Sequence, residues 1–155
     1  MPSEIEKEYK KFREKYTLPE FKEIDDEFEI SLLECTDFLL RNVRRKIMEK
    51  ITLMLTCIEE IIQPETNLRS MTELKAVSQS TKNKAFSIYK NLMIAERSSL
   101  EFDISSTDEK EAEFIMFILK KWKELKPDML LLIEKIKEVW KREQSPEEEE
   151  IGYVG

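Results

Sequence analysis

Five cations fall within ten residues of this chain: Arg41, Arg44, Arg45, Lys46 and Lys50. Guanidinium and ammonium groups in such a cluster suit phosphate or carboxylate oxygens. A helix carrying them would present a basic patch of about one and a half turns to a nucleic-acid backbone or an acidic partner. Against that use stand the nearby acids Asp37 and Glu49, with which the cations can pair. Base-stacking aromatics, which single-strand binders place beside such cations, do not accompany them.

Carboxylates form the second set. Glu34 with Asp37, and Glu109 with Glu113, are spaced by one helical turn. All-α nucleotide pyrophosphatases hold magnesium with acids at such spacing, because a hard cation wants several oxygens. The bland explanation is that Glu34 and Glu109 each belong to a helix capping box, in a chain with 33 acids. Histidine is absent. That removes Ser-His and Cys-His nucleophiles, the usual zinc sites and the Glu-x-x-His di-iron motif. Neither a catalytic centre, a metal site nor a cofactor is expected. Lys120, Lys121, Lys123 and Lys126 surround Trp122. The tryptophan falls on a core stripe, however, and the lysines alternate around it as solvated residues do.

The third set is the C-terminal stretch. Residues 144–150 read as an acidic linker, Ser-Pro followed by four glutamates, too poor in apolar residues to fold alone. Ile151, Tyr153 and Val154 follow and have the form of a short linear motif, able to fill pockets on a partner or add to a sheet edge. Folding back onto the chain's own body is the competing use of the same residues.

These groups need elements to position them. The chain has 155 residues, 41% apolar and 38% charged, with a net charge of −7. That size suits one domain with one core. The charge opposes general attraction to nucleic acid or anionic membrane. Glycine occurs only at positions 152 and 155, so a body built on tight hairpins is disfavoured and helices with polar loops are favoured. The first 16 residues are charged throughout, unlike a secretory leader, and apolar runs such as residues 129–133 are too short to span a membrane. Cys35 and Cys57 read as buried thiols about 33 Å apart on one helix, which suits a reducing, cytoplasmic setting. Abundant Lys and Glu without His also match thermophile composition.

Apolar periodicity supplies the helices. Ser3 and Glu6 open one over residues 3–16, with Ile5, Tyr9, Phe12 and Tyr16 on its stripe. Phe21, Ile24, Phe28 and Ile30 follow in a short connecting segment. Ser31 and Glu34 open a long helix over residues 31–62, where Leu33, Leu40, Ile47, Met54 and Ile61 recur every seven residues. Its stripe is too wide for a two-stranded coil, so it packs against several neighbours. Ser70 with Glu73 starts a short helix at residue 71, and another covers 84–100, with Phe102 and Ile104 in a loop. Ser106 with Glu109 starts a helix to residue 125, and Pro127 sits in the first turn of a last one to 142, the two forming a hairpin or a kinked stack.

The expectation is therefore an all-α, single-domain bundle of five to six helices around a long central helix, residues 1–143, with a disordered acidic tail at 144–155. The functional expectation is a non-catalytic protein-interaction module, an adaptor or complex subunit, presenting a helical surface and the tail to a protein partner. Apolar positions beside the stripes, Phe114 and Phe117, leave a homodimer open. The alternatives are a nucleic-acid accessory protein using residues 41–50 and a magnesium-dependent phosphohydrolase.

Overall fold

The computed structural model describes residues 1–63 and 66–142. Among them are six α-helices and no strand, an all-α bundle: α1 (Glu4–Lys15), α2 (Phe21–Phe28), α3 (Leu39–Ile62), α4 (Leu68–Glu73), α5 (Gln79–Ile104) and α6 (Asp108–Arg142). Short 3-10 turns at Ile30–Leu32 and Leu74–Ala76 join them.

Three long helices make the centre. α3 buries Leu40, Val43, Ile47, Ile51, Met54, Ile58 and Ile61, the wide stripe read from the sequence. α5 contributes Ala85, Ile88, Leu92 and Ala95, and α6 contributes Ile115, Ile118, Leu119, Trp122, Met129, Leu132 and Ile136. The small side chains of Ala85 and Ala95 let α5 approach its neighbours closely. Pairings across the bundle fix direction. Arg44, near the start of α3, meets Asp103 at the end of α5 and Glu111 at the start of α6. Lys84 at the start of α5 meets Asp128 of α6. So α3 and α6 run parallel, with α5 antiparallel to both.

α1 and α2 pack onto α3 and bury Ile5, Tyr9, Ile24 and Phe28. The Ser3 hydroxyl caps α1 by accepting from the Glu6 N–H. The Tyr9 hydroxyl donates to the Pro19 carbonyl at 2.7 Å, tying α1 to the turn before α2.

Several boundaries differ from those expected. The long helix begins at Leu39, not at residue 31, so it is 24 residues and about 36 Å long. The Ser31 N–H is taken by the Asp25 carboxylate at 2.7 Å, which holds residues 30–32 in a 3-10 turn with Ile30 buried. Phe38 then enters α3 in the left-handed region, φ 49. Cys35 is consequently exposed and off the helix, while Cys57 is half-buried on α3 and both thiols are free.

Helix α4 starts three residues before the expected position, capped by the Asn67 side chain accepting from Ser70, which places Ser70 inside the helix. Residues 79–83 belong to α5, which Ser78 caps, its hydroxyl accepting from the Thr81 N–H. At the other end α5 continues through Phe102 and Ile104, because Ser99 and Asp103, four apart, both serve Arg44. Thr107, not Ser106, caps α6 by accepting from Lys110. α6 then runs unbroken through Pro127 as one 35-residue helix, so neither a hairpin nor a second helix forms there. Pro127 is exposed, and Met129 and Leu132 just beyond it are buried, so packing on both sides holds the helix together.

Candidate interaction surface

An apolar recess lies along the parallel pair α3 and α6. Lys50, Leu53, Met54 and Cys57 line one wall at i, i+3, i+4 and i+7. Trp122, Lys126, Met129, Leu130 and Ile133 line the other, with Asp26 and Glu27 of α2 closing one end. The groove encloses about 430 Å³. Leu53 (73% exposed), Leu130 (57%) and Ile133 (37%) stand open to solvent within it, beside the buried Met54 and Met129. One wall spans about 11 Å and the other about 17 Å, two to three helical turns. Methionine adapts its shape to what packs on it, which suits a binding floor.

Glu27 organises the closed end. Its carboxylate accepts from the Trp122 indole N–H at 3.1 Å and pairs with Lys126 at 2.9 Å. Its backbone carbonyl accepts from Lys50, whose ammonium also stands 5.9 Å from the centre of the Phe28 ring. Phe28 in turn packs on Trp122 with ring centres 5.4 Å apart. The end of the groove is therefore a fixed polar frame around an aromatic floor. Sequence periodicity located Trp122 on the core stripe but gave no sign of Glu27, since the contact joins residues 95 apart in the chain. Burial pushes the Cys57 thiol up, with the carboxylates of Glu73 and Glu60 adding to the shift, so at neutral pH it is protonated.

The cations of residues 41–50 do not share one face. Arg44 is fully buried. Its Nε donates to Glu111 at 2.6 Å, one terminal nitrogen donates to the Ser99 carbonyl and hydroxyl, and the other to Asp103 at 2.8 Å. Burial alone would lower its pKa, but the bonds it donates to Glu111 and Asp103 outweigh that and raise it. Asp103 is held below the usual carboxylate range chiefly by its bond to Arg44. Arg45 also pairs with Asp103, Lys46 with Glu49, and Arg41 stands over the Phe38 ring at 5.3 Å.

The remaining candidates scatter. Glu34 and Asp37 lie before α3 rather than on it, and Glu109 and Glu113 are exposed on α6. Among the described residues no group of three or more His, Cys, Asp or Glu side chains is gathered to hold a metal ion. Lys123 pairs with Glu23 and Lys121 with Glu124. Phe114 is buried with its ring edge-on to Phe102, while Phe117 is exposed beneath Lys121. Ile151, Tyr153 and Val154 lie outside the described residues. No helix among the described residues is long and apolar enough to cross a membrane. No family model matches this chain, nor does any curated protein or any solved structure.

Proposed function

We propose that this chain is a non-catalytic protein-interaction module, an adaptor or complex subunit acting in the cytoplasm. Its α3–α6 groove receives an amphipathic helix of a protein partner, and Ile151, Tyr153 and Val154 add a linear motif. The observation that carries this reading is the exposure of Leu53, Leu130 and Ile133 in one groove between two parallel helices. An amphipathic helix presents apolar side chains at i, i+3 or i+4, and i+7, and two to three turns of it match the groove's length. The free thiols suit a reducing compartment.

The nucleic-acid reading loses its centre, because a buried Arg44 cannot reach a phosphate backbone. The phosphohydrolase reading loses the shared helical face of Glu34 and Asp37.

The test is selection from a library of helical peptides on the full chain and on a Leu53→Glu, Ile133→Glu variant. Both side chains are substantially exposed, so the variant keeps its melting temperature. Peptides enriched on the wild type should carry the i, i+3/i+4, i+7 apolar pattern and be lost on the variant. Peptides retained equally by both would sink the proposal.

A further inference from the structure

The face of α6 that lines the groove does not stop at Ile133. Lys137 and Trp140 stand four and seven residues further on and continue the same stripe toward Arg142. Trp140 is partly exposed, with its indole N–H donating to Glu73. Beyond Arg142 the sequence adds eight residues, including Glu147, Glu148, Glu149 and Glu150, before Ile151, Tyr153 and Val154.

We propose that residues 151–154 occupy this groove within the same chain when no partner is bound, so that the tail and the partner helix compete for one site. This rests on the groove being the partner site. The reach is sufficient. From Arg142 back to Ile133 is about 14 Å along the helix and to Met129 about 20 Å. Eight extended residues span at most about 29 Å. A chain reversing after α6 therefore sets Ile151, Tyr153 and Val154 over Met129, Leu130 and Ile133. Charge agrees with that path. The last turn of α6 carries Lys141 and Arg142, and Lys137 stands on the groove stripe one turn beyond Ile133. Lys137 and Arg142 are held only by exposed pairs within the helix, to Glu134 and Glu138, which a run of glutamates can replace. Four consecutive glutamates meet these cations on the way in, and the apolar residues follow where the groove turns apolar. The competitor is thus an acidic-apolar segment, and a partner helix must displace it.

The two cysteines make the test internal. Cys57 lines the groove, whereas Cys35 is exposed before α3. The full chain and an Ile151→Asp, Tyr153→Asp variant are treated with a small aromatic disulfide, and modification of each thiol is followed by mass spectrometry. Displacing a tail that covers the groove in about nine molecules of ten speeds Cys57 about tenfold and leaves Cys35 unchanged. An unchanged Cys57 rate overturns the proposal. Protection of Cys57 that grows with protein concentration also overturns it, assigning the tail to a second copy's groove. Since no partner is present, either failure leaves the peptide-library result standing by itself.

Discussion

Arg44 Nε lies 2.6 Å from Glu111 Oε2, with the arginine wholly buried and the glutamate 3% exposed. The pair joins the start of α3 to the start of α6, and through Ser99 and Asp103 it also fixes the end of α5. Three helices are thus registered by one guanidinium. Removing the arginine leaves a buried carboxylate without a cation, which costs far more than losing a surface pair. Arg44→Met should lower stability by about 3–5 kcal/mol in urea unfolding. Arg44→Met combined with Glu111→Leu should recover most of that loss, because no unpaired charge then stays buried. Equal losses in the single and double variants would mean that the charges themselves, not their balance, hold the helices.

Asp103 gives this junction a pH dependence. Its folded pKa is lowered, so its contribution is fully present above the usual carboxylate value of about 4. It is lost as pH falls through the lower folded value. Asp103→Asn should therefore destabilise the protein near neutral pH and make little difference in strong acid. Urea midpoints at the two ends of that range decide it, and a penalty of the same size at both would show that the carboxylate charge does not matter.

Tyr9 behaves in the opposite sense. Burial pushes its phenol above the usual range, with Arg13 opposing and Glu23 adding to the shift. Its contribution is complete below about pH 10, the unfolded value, and falls as pH rises beyond it. Tyr9→Phe should cost about 1 kcal/mol at neutral pH through the lost bond to the Pro19 carbonyl. It should also remove part of the alkaline sensitivity. Identical alkaline melting curves for the two proteins would contradict the assignment.

Pro127 lies inside α6 with no N–H to give the carbonyl of Lys123. Because the position is exposed and the helix continues through it, Pro127→Ala should stabilise the protein by up to about 3 kcal/mol. A rise in melting temperature supports one continuous helix. A fall would mean that the proline sets a bend on which the packing of Met129 and Leu132 depends.

The sequence by itself determined the helices, because a 3.6-residue apolar period and a near-absence of glycine leave few other structures for this chain. It located the core stripe of α3, the Ser3 cap and the inward face of Trp122 from local spacing alone. Where it misplaced an element, a residue elsewhere in the fold had claimed the signal. Ser31 and Glu34 have the spacing of a cap, but Asp25 takes the Ser31 N–H and the helix starts eight residues later. Phe102 and Ile104 alternate with acids as a loop would, yet Asp103 belongs to a helix that reaches Arg44, 59 residues away. Tertiary structure alone decided that Arg44 is a buried tie rather than a surface cation. Its partners come from two other helices, and charge spacing along one helix carries no information about which side another helix covers. The groove has the same origin. Leu53 and Ile133 are 80 residues apart in sequence. Only the parallel packing of α3 and α6 brings them together as one apolar surface.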